Sequence, residues 1–331
     1  MGDVQRWTDL TEIPDDLSGS VVTLGNFDGV HRGHRAVLAQ VVDRAREEGV
    51  PAVAVTFEPH PLAVLYPERA PELIASLDQR LDLLESVGLD AVLVMEFTRE
   101  LATWSPERFV EDVFVTALHA RAVVVGQDTR FGARNSGDVA TLCELGEQFG
   151  FDVEALSDQG DADGGAPRRW SSSQVRRLLD EGDVGAAAQV LGRAHAVSGV
   201  VVHGEHRGRE IGYPTANLAQ DSDGLVPADG VYAGWLLRPA LPEGHTDHLL
   251  PAAISVGTNP TFDGVRRTVE AYVLDRTDLD LYGERVAVEF LEHLRPMLRF
   301  DSVEELVEQM RLDVDQARDL TTARRAERTG R

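Results

Sequence analysis

The stretch Val21-Val22-Thr23-Leu24-Gly25-Asn26-Phe27-Asp28-Gly29-Val30-His31-Arg32-Gly33-His34 decides the fold. An apolar run of strand character enters a glycine-rich turn, and the pattern of Arg35-Ala36-Val37-Leu38-Ala39-Gln40-Val41-Val42 then opens a helix. Three glycines permit positive φ and close backbone approach. The unpaired N–H groups of a helix start attract anions, so strand, turn and helix in this order suit a bound polyphosphate. Two histidines at the turn, His31 and His34, can donate hydrogen bonds to phosphoryl oxygens.

Outward from this turn the same unit recurs. Strands expected at 52–57, 91–96, 122–125 and 151–156 alternate with helices near 76–87, 105–118 and 138–149. Short apolar strands between amphipathic helices predict an α/β domain with a doubly wound parallel sheet covered on both faces. Its ligand crevice belongs beyond the C-terminal strand ends, where 25–34, 58–61 and 126–132 all fall. The Gly- and Asp-rich segment 158–167 reads as a loop, followed by a capped helix start at 171–179 and a helix at 184–191 closed by Gly192. From His195 the pattern changes. Runs at 197–203, 230–237, 252–256, 269–274 and 285–291, separated by turn residues, predict an antiparallel β-barrel. A terminal helix over 302–320 carries an apolar stripe at Val303, Leu306, Val307 and Met310, with Asp301 as its cap; Arg324, Arg325, Arg328 and Arg331 then form a solvated end. The division expected is 1–186 and 187–331.

Composition narrows the chemistry. The 331 residues suffice for two domains, and a hydrophobic share of 43% is that of an ordinary globular chain. No apolar run approaches a membrane span, the N-terminal residues lack a signal-peptide pattern, and Cys143 is the single cysteine, so a cytoplasmic setting is expected. The net charge of −24 repels nucleic acid and anionic membranes, and ATP as well. A phosphate site must therefore be made locally positive by backbone N–H groups, arginines and a divalent ion. All 32 residues of the Lys+Arg count are arginine, which excludes a Walker lysine and a pyridoxal-phosphate Schiff base.

The run Gly25 to His34 resembles the HxGH signature of small-molecule nucleotidyltransferases, in the form GxFDGxHxGH that opens bacterial bifunctional riboflavin kinase/FAD synthetases. Thr56-Phe57-Glu58-Pro59-His60-Pro61, Val124-Val125-Gly126 through Phe131-Gly132, and Arg169-Trp170-Ser171-Ser172-Ser173-Gln174-Val175-Arg176 resemble further segments in the family's order. The resemblance implies that His31 and His34 act on the α-phosphate of ATP, while Ser171, Ser172, Ser173 and Arg176 hold the departing pyrophosphate. It adds Gly25, Phe27 and Gly33 to the ATP site, and Phe57, Pro59, Pro61, Asp128 and Phe131 to the flavin site. Asp28 stands either by the metal or nucleotide, or as an acceptor for turn N–H groups. The chain departs from the family's usual residues at Glu58 (Asp), Thr129 (an aromatic), Trp170 (Ile) and Ser173 (Thr).

In the second half, Gly208-Arg209-Glu210-Ile211-Gly212-Tyr213-Pro214-Thr215-Ala216-Asn217 resembles the GxxLGFPTAN signature of riboflavin kinases, and the runs 257–262, 267–275 and 280–283 match further segments. A neutral ribityl hydroxyl must lose its proton as it is phosphorylated, which calls for a carboxylate. Glu270, the one acid in an apolar strand run, is that general base by resemblance. Thr215 and Asn217 would ligate Mg²⁺, and the turn with Gly208, Arg209, Gly212 and Pro214 would wrap the ATP phosphates. The expected protein converts riboflavin to FMN and FMN to FAD with ATP and Mg²⁺, as a monomer or weak homo-oligomer with no nucleic-acid or membrane partner. Its rivals are an adenylyl- or cytidylyltransferase with an inactive barrel, and a flavin-binding protein without turnover.

Overall fold

A computed structural model of the chain describes residues 4–157, 160–161, 168–204, 212–261 and 264–329. The chain divides into two compact units, Met1–Ser172 and Ser173–Arg331.

In the first unit one sheet is built from β1 (Gln5–Trp7), β2 (Ser20–Leu24), β3 (Ala52–Glu58), β4 (Ala91–Glu96), β5 (Ala120–Gly126) and β6 (Asp152–Leu156). All pairings are parallel and the order is β1-β4-β3-β2-β5-β6. The chain runs from β2 through β3 to β4 in one direction and from β5 to β6 in the other. The topological switch, where such sheets bind ligands, therefore lies beyond the ends of β2 and β5. Alternate strand residues feed two cores. Val22, Leu24, Val53 and Leu93 pack with Phe109, Val113 and Leu142 on one face. Val21, Ala54 and Val92 pack with Leu38, Val41, Leu81 and Leu84 on the other. These partners come from α1 (Arg32–Glu48), α3 (Leu77–Glu85), α4 (Pro106–Phe109) with the π-helical stretch Val110–Ala117 that continues it, and α5 (Val139–Phe149); α2 (Pro61–Leu65) is a short turn after β3. The helix expected over 105–118 begins as α4 with Ser105 as N-cap, then widens to π-helical winding over Val110–Ala117. Strand β1, at the sheet edge, has too few residues to show a period, so the sequence pattern predicts no element there.

A short pairing of β7 (Gly160–Asp161) with β8 (Arg168–Arg169) precedes α6 (Ser172–Asp180) and α7 (Val184–Leu191). The rest of the expected loop 158–167 lies outside the described residues. Helix α7 packs on strands of the second unit, so the contacts divide the chain after Ser172, whereas a boundary after 186 falls inside α7. The second unit is a closed barrel of β9 (His195–Val202), β10 (Thr215–Leu218), β11 (Gly230–Leu237), β12 (Leu249–Thr261), β13 (Gly264–Val273) and β14 (Arg285–Arg295), in the order β10-β13-β12-β11-β14-β9 with every pairing antiparallel. Ala216 and Leu218, Ile254 and Val256, and Val269 and Ala271 alternate as buried residues.

Helix α8 (Val303–Thr329) packs its Val314 and Ala317 on Ala233 and Leu274. The expected stripe is corrected at one position: Val303 is 57% exposed, whereas Leu306, Val307 and Met310 are half-buried and burial deepens at Asp313. There Asp313 takes a bidentate grip from Arg295 at 2.9 and 2.6 Å. The cap is also corrected, from Asp301 to Ser302, whose hydroxyl accepts from the Glu305 N–H at 3.2 Å. Of the expected solvated end, Arg331 and the side chain of Arg328 lie outside the described residues. Arg325 lies 5.1 Å from the centre of the Trp235 ring and donates to Leu249 O.

Candidate active sites

At the switch point, β2 ends in a turn that the sequence can form only by bending backward: Phe27, Gly29 and Val30 have φ of 49°, 75° and 39°. Positive φ at a β-branched residue such as Val30 costs on the order of 1–3 kcal/mol and is retained where the surroundings impose it. Gly29 alone is free of that cost, and a Cβ there would meet Ile74 at 2.9 Å. Gly25 lies beneath the buried Phe27 ring and Gly33 beside the His31 ring.

His31 is the N-cap of α1, and its Nδ1 accepts from the His34 N–H at 3.3 Å. An accepting Nδ1 places the ring proton on Nε2, which is then the donor. His34 stacks on it with ring centroids 3.6 Å apart and 18° between planes, while Phe27 meets His34 edge-on at 5.3 Å. Burial, and secondarily the neighbouring His31, hold His34 well below the ordinary histidine range, so His34 is neutral at pH 7. Its Nδ1 is buried with no partner among the described residues. The N-terminus of α1 thus carries two stacked imidazoles and first-turn N–H groups without helical acceptors, an anion-receptive arrangement in an acidic protein. Ser172 Oγ donates to Asp28 O at 2.9 Å, joining the serine run to this turn. Ser171 adjoins it; Ser173 and Arg176 belong to the second unit. Arg32 stands 5.5 Å from the Trp170 ring centre, the position where the family usually has Ile.

Asp28 is buried, and its carboxylate accepts from the Ile74 N–H at 3.0 Å and the Ala75 N–H at 3.2 Å. These bonds make Asp28 a backbone acceptor for a loop distant in sequence. Sequence reasoning missed Arg80 altogether. Its side chain, on the buried side of α3, donates to Asn26 O at 3.1 Å, Phe57 O at 3.1 Å and Glu58 Oε2 at 2.8 Å. Asn26 Nδ2 also meets His60 Nε2 at 3.3 Å. The only sequence signal was an arginine beside Leu81 and Leu84 on a capped helix, which reads equally well as a solvated face.

Of the expected flavin residues, Phe57 and Phe131 each have their ring 6.3 Å from that of Phe109. Phe57 is half-buried at the end of β3 with Phe97 edge-on at 5.5 Å, and Pro59 and Pro61 flank the His60 cap of α2. Asp128 is exposed after β5, where the Thr129 N–H closes a turn on Gly126 O. Phe131 is 6% exposed, its ring 6.3 Å from that of Phe109 within the core.

In the barrel, β10 and β13 pair with Asn217 opposite Glu270 and Thr215 opposite Tyr272, which puts Thr215, Asn217 and Glu270 on one face, away from the packed interior. Thr215 Oγ1 donates to Glu270 Oε2 at 3.2 Å, and Asn217 Nδ2 donates to Thr215 Oγ1 at 3.1 Å. The amide oxygen of Asn217 is thereby turned away from Thr215. A cavity of about 630 Å³ covers this face, lined by these three residues with Gly212 and Pro214. His203 and Tyr282 line it as a ring pair at 3.9 Å. Gly208 and Arg209 lie outside the described residues. Arg276, not singled out from the sequence, is an arginine of the lining, held by Asp247 at 2.7 Å and Asp278 at 2.6 Å.

A nucleotide-binding α/β unit followed by a barrel with a carboxylate, hydroxyl and amide at one cavity defines a two-centre phosphate-transfer protein. A family model described as FAD synthetase matches residues 13–166, and one described as riboflavin kinase matches residues 191–321. The chain is 38% identical over 315 residues to the bifunctional riboflavin kinase/FMN adenylyltransferase of Escherichia coli (strain K12), covering 95% of this chain and 94% of that protein. It is 31% identical over 311 residues to the protein of the same name from Bacillus subtilis (strain 168), covering 92% and 93%. The chain belongs to the bifunctional riboflavin kinase/FMN adenylyltransferase family. A crystal structure titled Macrolide-efflux Protein, from Streptococcus pneumoniae, superposes with a TM-score of 0.83 at 31% identity, covering 96% of this chain and 99% of that one. Among the described residues no helix is long and apolar enough to cross a membrane.

Proposed function

We propose that this chain phosphorylates riboflavin to FMN in its barrel and adenylylates FMN to FAD in its α/β unit, consuming one ATP in each step. The observation that carries the reading is the meeting of Glu270 with Thr215 and Asn217 at one cavity, across a sequence separation of 55 residues for the Thr215–Glu270 bond. In the first step the riboflavin 5′-hydroxyl oxygen attacks the γ-phosphorus, Glu270 accepts the hydroxyl proton, and ADP leaves. Thr215 Oγ1 orients the carboxylate. Thr215 and Asn217 offer hard oxygen donors of the kind Mg²⁺ takes alongside phosphate oxygens and water; when bound, the ion would neutralise charge on the transferring phosphoryl group.

In the second step an FMN phosphate oxygen attacks the α-phosphorus and pyrophosphate leaves. The nucleophile is already an anion, so the protein needs alignment and charge stabilisation rather than a base. His31 Nε2–H and the neutral His34 donate at the α-phosphate, and the α1 N-terminus with Gly25, Phe27 and Gly33 shapes the cradle. Asp28 fixes that cradle from behind through Ile74 and Ala75. Ser171, Ser172, Ser173 and Arg176 are assigned to the pyrophosphate, and Phe57, Pro59, Pro61, Asp128 and Phe131 to the flavin, on the resemblance. Gly208, Arg209, Gly212 and Pro214 are assigned likewise to the kinase ATP. The protein works on these small molecules in the cytoplasm. Incubation with riboflavin, ATP and Mg²⁺ followed by chromatography should yield FMN and then FAD; a different nucleotide conjugate, or no product, rejects the reading.

A further inference from the structure

We infer that Arg80 is a positioning residue for adenylyl transfer, holding the phosphate turn after β2 and the loop after β3 in one fixed arrangement without touching substrate. The inference rests on the function proposed for the α/β unit. Arg80 is 1% exposed, which rules out direct contact with a ligand in the crevice. Its acceptors are nonetheless all at the crevice rim: Asn26 O belongs to the turn leading to His31, while Phe57 O and Glu58 Oε2 belong to the C-terminal end of β3, where the loop to Pro61 begins. One planar guanidinium is suited to this, because its donors fork in fixed directions toward several acceptors at once.

Stability alone gives no reason for a charge here. Taking a guanidinium out of water costs several kcal/mol, and a packed aliphatic side chain of similar volume is commonly as stable or better. The turn itself gives the reason. It contains residues at positive φ, so it needs an external hold, and α3 with the segment just before it supplies two. Ile74 and Ala75 N–H groups grip the Asp28 carboxylate, and in the first turn of α3 Arg80 grips Asn26 O. Thr56 Oγ1 donates to the same Asn26 carbonyl at 3.3 Å. Glu58, one methylene longer than the Asp usual in the family, is the carboxylate that pairs with Arg80.

The test uses the full chain, with riboflavin phosphorylation by the same polypeptide as the internal reference and FAD formation from supplied FMN and ATP as the readout. Arg80→Met should lower kcat for FAD formation by about 100-fold, the scale expected of misplaced reacting groups, with KM for ATP and FMN changed by less than about threefold and kinase turnover unchanged. Arg80→Lys, which keeps the charge but reaches fewer acceptors, should recover part of the loss, and Glu58→Gln should fall between wild type and Arg80→Met. A purely structural arginine would lower the folded fraction and leave kcat per folded molecule at the wild-type value in all three variants, which overturns the inference. If Arg80→Met does not fold, Arg80→Lys decides: wild-type kcat overturns the proposal and a several-fold loss supports it. Wild-type protein that makes no FAD at all instead sinks the functional reading on which the inference stands.

Discussion

Asp28 shows how much one side chain in the turn is asked to do. Its two oxygens satisfy the Ile74 and Ala75 N–H groups in a buried setting, so removing them strands two donors that water cannot reach. Asp28→Ala should therefore cost about 2–5 kcal/mol, from one to a few kcal/mol per buried unsatisfied group, read as a lower urea midpoint for the α/β unit. A loss under about 0.5 kcal/mol would mean the loop finds other acceptors. The turn that carries His31 and His34 and the strands that carry Thr215, Asn217 and Glu270 were legible from hydrophobic period and turn residues, while the roles assigned to these side chains come from the resemblance. Arg80 was not legible. A lone arginine on a helix looks the same in sequence whether it faces solvent or reaches three acceptors across the fold. The burial of the Phe131 ring was likewise not legible, because a strand-end motif does not say which way a ring turns.

At the level of elements, the strand-turn-helix unit formed by β2 and α1 depends on Gly29. With φ at 75° and Ile74 pressed against the space where a Cβ would sit, Gly29→Ala should destabilise the unit by about 1–3 kcal/mol and depress FAD formation while leaving FMN formation intact. Thermal unfolding and the two product assays check both halves; an unchanged FAD rate would separate the turn's conformation from catalysis. Most helix ends were readable because capping is local chemistry. The helices expected near 76–87 and 138–149 begin at Ser76 and Asp138, which cap them through the Gln79 and Thr141 N–H groups, and Gly192 closes α7 as expected. The π-helical stretch Val110–Ala117 and the edge strand β1 were not readable, since winding and edge pairing are settled by what an element packs on. For the same reason Val303 at the start of α8 faces solvent and Leu306, Val307 and Met310 are half-buried, while Val314 and Ala317 find the barrel.

Across the whole molecule, two sheets of opposite type were visible as a change in period at His195, the residue at which β9 begins. His195 also sets a pH limit. It is buried, its Nε2–H donates to Leu225 O at 2.6 Å, and burial pulls its pKa down to about 4. A histidine held below its unfolded value stabilises the fold fully above about pH 6.5, and that stabilisation drains as pH falls from 6.5 toward 4. The barrel should lose about 3 kcal/mol over that interval, and His195→Gln should flatten the decline in a pH series of urea midpoints. An equally steep decline in the variant would place the pH dependence elsewhere. The central claim is that two separate phosphate-transfer centres share this chain, and assaying Glu270→Ala and His31→Ala side by side tests it most directly. Glu270→Ala should make no FMN from riboflavin yet convert supplied FMN to FAD at the wild-type rate. His31→Ala should accumulate FMN and lose FAD formation by at least about 100-fold. Equal loss of both products in either variant would contradict the account.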